Sequence, residues 1–192
     1  MTRDATLYTI GHSTHPVEEF VGLLRRHDIT ALGDVRSAPY SRYNPQFNKE
    51  VLAASLKQAD IAYVYLGSEL GARVQDPACW EEGRVSYAKV AQADFFRAGL
   101  RRVREGMASY RVTLMCAEKD PITCHRMMLV TRNLRREDLD IQHIRADGSL
   151  ETNLQAERRL LEAARLPRGT LFQDEAEMVE EAYETRGYPP RR

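Results

Sequence analysis

The sequence predicts an α/β fold: a mostly parallel sheet of about five strands with helices on both faces, plus a C-terminal helical extension. Two observations predict it. Short apolar, β-prone runs alternate with amphipathic helical spans over residues 1–150, and helices between successive strands favour parallel pairing. Beyond residue 150 only helical periodicity continues, so residues 151–192 form an extension and not an independent domain. A length of 192 residues fits one domain with such an appendage.

Taken in order, Leu7-Tyr8-Thr9-Ile10 is a first strand, ended by the polar turn Gly11-His12-Ser13-Thr14. Pro16 suits a first helical position, and Val17, Phe20, Val21 and Leu24 share one helical face. Ala31-Leu32-Gly33-Asp34-Val35 is a second strand, followed by Arg36-Ser37 and a loop from Ala38 to Phe47. Asn48 is an expected N-cap for a helix with Val51, Leu52, Leu56 and Ala59 on one face. Ala62 to Leu66 is the third strand, and Gly67 to Gly83 lacks a period and reads as loop.

One long helix is expected over Ser86–Arg104. The fourth strand is Arg111 to Cys116, and a helix opens near Cys124-His125-Arg126. Ile141 to Ile144 is the fifth strand, closed by Asp147-Gly148. From about Glu151 the chain reads as two charged amphipathic helices and a Pro189-Pro190 tail, with no further strand.

Composition narrows the function classes. Lys plus Arg and Asp plus Glu number 28 each, giving zero net charge and excluding a protein that coats nucleic acid through bulk positive charge. Nucleic-acid contact, if used, is local. Three cysteines form no disulfide framework, and no apolar run approaches about 18 residues. The expectation is a cytoplasmic protein with reduced thiols and no membrane contact.

In open α/β sheets, ligands sit outside the carboxyl ends of the strands. The polar residues here cluster there: His12 and Ser13 after strand one, Asp34 and Arg36 at strand two, Cys116 through Arg126 after strand four. A helix start and nearby cations lower a thiol's pKa, which makes Cys124 a candidate nucleophile. His12 and Glu118 are candidate acid–base groups. Arg36, Arg42 and Arg126 suit an anion, with Ser13, Asp34 and Tyr43 beside them. Tyr40, Arg42, Tyr43 and Phe47 interleave aromatic and basic groups, as loops that stack bases do. His143, inside a strand, reads as a satisfied core histidine.

Structural alternatives stand beside each reading. Cys124 also fits simple packing, and Arg36 and Arg126 also fit internal pairing with Asp34 and Glu118. No cysteine six residues before an arginine marks a phosphatase loop. No dinucleotide, Walker, serine-hydrolase or zincin motif is present, so no cofactor is implied. Cys79, Cys116, Cys124 and His125 lack the close paired spacing of structural zinc motifs, so no metal site is expected.

The set Thr9-Ile10-Gly11-His12-Ser13, Asp34-Val35-Arg36-Ser37, Pro45-Gln46-Phe47-Asn48, Cys116-Ala117-Glu118-Lys119-Asp120-Pro121 and Cys124-His125-Arg126 resembles the family called domain of unknown function 488. His143-Ile144 with Asp147-Gly148 extends the likeness over Leu7 to Gly148. The resemblance implies a compact α/β domain and attaches no activity. One departure is Leu70-Gly71-Ala72-Arg73, where the family usually has two glycines before the arginine.

Together these readings favour a small cytoplasmic enzyme acting on an anionic, phosphate-bearing substrate, a nucleotide or nucleic-acid fragment. The alternatives are a non-enzymatic nucleotide or nucleic-acid binding module, and a thiol redox protein using Cys116 and Cys124.

Overall fold

The computed structural model describes residues 5–135, 139–165 and 174–186. The expected Pro189-Pro190 tail lies outside these residues. In chain order the elements are β1 (Ala5–Gly11), α1 (Val17–Arg26), β2 (Ala31–Asp34), α2 (Lys49–Gln58), β3 (Ala62–Tyr65) and α3 (Gly67–Leu70). They continue with β4 (Trp80–Glu81), β5 (Arg84–Val85), α4 (Tyr87–Gln92), α5 (Asp94–Met107) and β6 (Val112–Cys116). A π-helical segment, Arg126–Thr131, runs into α6 (Arg132–Leu134). β7 (Leu139–Ile144), β8 (Leu150–Thr152), α7 (Asn153–Ala164) and α8 (Glu175–Arg186) complete the chain.

The sheet has six strands in the order β3-β2-β6-β1-β7-β8, parallel except for the antiparallel edge strand β8. β6 lies between β1 and β2, so the chain leaves β1 toward one edge and leaves β6 toward the other. Such a reversal opens a crevice at the carboxyl ends. Register sharpens it: Gly11 sits beside Cys116, and Asp34 beside Met115. Three strand ends carrying the polar motifs are therefore level and adjacent.

The pleat sorts the core by alternation. Tyr8, Ile10, Leu32 and Met115 face Phe20 and Leu24 of α1 and Leu52 and Leu56 of α2. Leu7, Leu114 and Cys116 face the opposite way, toward Phe96, Leu100 and Val103 of α5 and Leu129, Val130 and Leu134. A third cluster seats the C-terminal helices on the domain. Ala156, Leu160, Val179, Ala182 and Tyr183 close over Met127 and Met128. α7 starts from a reciprocal cap between Thr152 and Gln155.

Four expectations need correction. The single helix over Ser86–Arg104 is two helices joined at extended Ala93. Val90 and Phe96 both reach the core, yet six residues on one helix separate them by about 240°. The stretch Gly67–Gly83 holds α3 and part of the β4–β5 hairpin, whose turn has Glu82 and Gly83 at positive φ. A strand does follow residue 149: β8 folds back on β7 around Asp147–Gly148, too short to show alternation in sequence. Asn48 precedes α2 but does not cap it; its Oδ1 accepts from the Ser41 N–H at 2.7 Å.

Among the described residues, no helix is long and apolar enough to cross a membrane.

Candidate functional site

Two polar networks occupy the level strand ends. The first lies on the α1–α2 side. Asp34, fully buried, takes the Arg36 guanidinium through Nε (2.9 Å) and Nη2 (2.6 Å), and accepts from Tyr63 Oη at 2.7 Å. Arg36 Nη2 also donates to the Phe47 carbonyl at 2.8 Å, fixing the loop that precedes α2.

Arg36 Nη1 reaches His12 Nε2 at 3.2 Å. A guanidinium only donates, so His12 Nε2 accepts and its Nδ1 carries the proton given to the Ser13 carbonyl (2.8 Å). Burial, then the neighbouring Arg36 charge, pulls the His12 pKa down to about 4. The ring stacks on Phe47 at 4.2 Å between centroids. His12 is thus a neutral histidine whose lone pair is already used. Ser13, at positive φ, anchors the turn by donating its N–H to the Ala117 carbonyl at 3.0 Å.

The second network lies on the opposite side. Cys116 ends β6, and Cys124 and His125 precede the π-helical segment. Both thiols donate to one oxygen, Glu118 Oε2, Cys116 at 2.8 Å and Cys124 at 3.0 Å. His125 Nδ1 lies 3.4 Å from Cys116 Sγ and 4.0 Å from Cys124 Sγ. Its Nε2 donates to the Val35 carbonyl at 2.9 Å. One ligand atom from each of these four residues falls within 4.8 Å of the others. Cys116, Cys124 and His125 are buried, and Glu118 is exposed.

Burial raises both thiols, but the hydrogen bond from Cys116 and the charges of Arg126 and His125 hold Cys124 well below an ordinary thiol. Burial and the proton shared with Cys124 push Cys116 up. Burial, followed by Cys124, raises Glu118. Burial opposes charge on His125, and the Cys124 partner outweighs it, raising that pKa. Opposed shifts within one contact group are the pattern of acid–base and thiolate sites.

Arg126 is 0% exposed. It donates through Nη1 to the Glu118 carbonyl (2.5 Å), through Nη2 to the Lys119 carbonyl (3.1 Å) and through Nε to Thr9 Oγ1 (3.4 Å). The expected anion-facing arginine is therefore turned inward, a consequence of the Glu118–Lys119 turn crossing over it. The internal alternative holds for Arg36 with Asp34; Arg126 instead pairs with the backbone of Glu118, not its carboxylate. Gly11 permits that crossing: a Cβ there would stand 1.9 Å from the Glu118 carbonyl oxygen.

Thr9 Oγ1 also meets His143 Nδ1 at 2.8 Å, and His143 Nε2 meets Asn153 Oδ1 at 3.3 Å. His143 is the satisfied core histidine its strand pattern suggests. Asp120, at the end of the turn, is held by Arg159 (2.8 Å) of α7 and by Arg145 (3.4 Å), the residue that follows β7. Burial works against its ionisation, yet the Arg159 hydrogen bonds win and lower its pKa to about 2.

Arg42 and Tyr43 stay on the exposed loop, paired with each other; Tyr43 is 76% exposed. They do not join either network. Cys79 is buried at the hairpin and also stays apart. At the family's double-glycine position, Ala72 has no positive φ, so the alanine there carries no backbone strain.

Sequence reasoning weighs His125 only as a zinc ligand and sets it aside on spacing, and it gives Thr9, Val35, Tyr63 and Asp120 no role. The available signal was Cys116-x-Glu118 with Cys124-His125 close behind. It brings three ligand types, thiol, carboxylate and imidazole, within ten residues of one strand–turn–helix connection.

No curated protein and no solved structure matches the chain. Residues 16–133 match the model of the family described as Domain of unknown function DUF488. The match includes Asp34 and Arg36 of the first network and all four members of the second, with Arg126 behind them. It spans more than half of the sequence, and the chain belongs to the DUF488 family.

Proposed function

We propose that the protein is a small enzyme acting on an anionic, phosphate-bearing substrate, a nucleotide or nucleic-acid fragment, with Cys124 as nucleophile. One observation carries the reading: two thiols, a carboxylate and an imidazole converge within 4.8 Å at the carboxyl end of β6 and in the connection that follows it. The Arg126 charge behind Cys124 favours the thiolate. Glu118, whose pKa burial and Cys124 raise, is exposed and serves as the proton carrier. The sulfur forms a bond to the electrophilic atom, and the leaving group departs with the Glu118 proton. Arg36 and Arg126 act by position, leaving the exposed Lys119, next to Glu118, to meet the anion. Free thiols in this scheme suit a reducing, cytoplasmic setting.

The test is the pH dependence of alkylation at Cys124, mapped by mass spectrometry against Cys79. The expected result is thiolate reactivity below neutrality at Cys124, slowed by nucleotide or inorganic phosphate. A Cys124 that titrates near the ordinary value of about 8.5, or phosphate that leaves its rate unchanged, ends the reading.

The shared Glu118 oxygen also favours a dithiol reading, in which Cys116 and Cys124 form a disulfide and pass two electrons to an oxidised thiol partner. Glutathione disulfide is the probe: a bond between these cysteines supports this reading, and a persistent free pair ends it.

A further inference from the structure

We propose that Cys116, Glu118, Cys124 and His125 bind one divalent cation of the zinc class as a four-coordinate centre of two thiolates, one imidazole and one carboxylate. The ligand set is the first ground. These are together the donors zinc takes, in fours. With bonds of about 2.3 Å to sulfur and 2.0 Å to nitrogen or oxygen, tetrahedral donors sit roughly 3.3–3.8 Å apart. Four of the six separations run from 2.8 Å to 4.0 Å and all six lie within 4.8 Å, so side-chain shifts of up to about an ångström seat the ion.

The second ground is the supporting contact. The Val35 carbonyl can only accept, so it fixes the proton on His125 Nε2 and leaves the Nδ1 lone pair facing both sulfurs. Metal-binding histidines are oriented in this way by a backbone carbonyl.

The third ground is charge. Arg126 is fully buried, and its partners are two carbonyls and a hydroxyl; no carboxylate pairs with it among the described residues. A lone buried cation is costly. A divalent ion held by two thiolates and one carboxylate carries one net negative charge, which offsets Arg126. The Arg126 backbone N–H already lies 3.5 Å from Cys124 Sγ. Binding is a ligand exchange: the ion sheds water and the two thiols release their protons, so affinity rises with pH.

This inference goes beyond the proposed enzyme and does not need Cys124 to be a nucleophile. Where both hold, they are exclusive states of one centre, since the ion occupies the Cys124 lone pair and silences its reactivity.

The experiment titrates the reduced full chain with cobalt(II), then zinc(II), and follows thiolate-to-cobalt absorption. One cobalt per chain, displaced by zinc, is expected. Cys116→Ser, Cys124→Ser and His125→Gln should each bind at least tenfold more weakly, and Cys79→Ala should bind normally. X-ray absorption on the zinc-loaded wild-type protein needs no variant; it should show two sulfurs near about 2.3 Å with two lighter donors. Absence of thiolate absorption in excess cobalt, or a shell without two sulfurs, overturns the proposal. A thiolate-reactive Cys124 without cobalt binding removes the metal and leaves the enzyme reading. Cobalt binding with an ordinary Cys124 in the metal-free protein does the reverse.

Discussion

Cys116 and Cys124 share a single acceptor, Glu118 Oε2, at 2.8 Å and 3.0 Å. Glu118 is the one exposed member of an otherwise buried cluster of four, so it connects the thiols to solvent. Its charge also sets their acidity, because a carboxylate this close opposes a second negative charge.

Glu118→Gln keeps the side-chain shape and removes that charge. The pH midpoint for Cys124 alkylation should move down, toward easier ionisation. Turnover on a phosphate-bearing substrate should fall by about 10²–10⁴-fold, the usual contribution of a positioned acid–base group. Alkylation mapping and steady-state assays check the two effects separately. A midpoint that moves up contradicts the shared-oxygen geometry.

Arg126→Met should act in the opposite sense. Losing the buried cation removes stabilisation of the Cys124 thiolate, so the alkylation midpoint should rise. The Glu118 and Lys119 carbonyls would lose their donor, costing at least about 2 kcal/mol. Urea unfolding measures the second effect. A fully stable variant with normal Cys124 reactivity would show that Arg126 neither braces the turn nor tunes the thiol.

Stability should fall in mild acid. Burial depresses His12 to about 4 and His143 to about 3, with Arg36 and Arg126 respectively adding to it, from an ordinary 6.5. The unfolded chain takes up these protons first as pH falls, so the stability these two histidines contribute is full above pH 6.5 and is lost down to pH 4 for His12 and pH 3 for His143. Thermal melts from neutral pH down to about 4 should show the loss, and His12→Gln should flatten the upper part of the slope. A melting temperature independent of pH across that window would mean that both histidines titrate normally.

Much of the fold was legible because strand and helix periods are local. Leu7 to Ile10 and Arg111 to Cys116 announce buried strands, and Val17 to Leu24 an amphipathic helix, without reference to any other part of the chain. β8 was not legible, since three residues cannot display alternation and the pairing with β7 depends on the turn at Gly148. The break at Ala93 was likewise hidden, because it follows from which residues the core accepts and not from propensity.

The candidate site divides in the same way. Local periodicity is enough to put Asp34 and Cys116 at the ends of strands, and His12, Arg36, Glu118, Cys124 and Arg126 in the segments that follow them. Their separation into two networks came from the assembled sheet. Strand order set β6 between β1 and β2, and the pleat turned Asp34 and Cys116 to opposite faces. Packing also turned Arg36 and Arg126 inward, because buried carbonyls and a carboxylate require donors and these guanidiniums are the groups within reach.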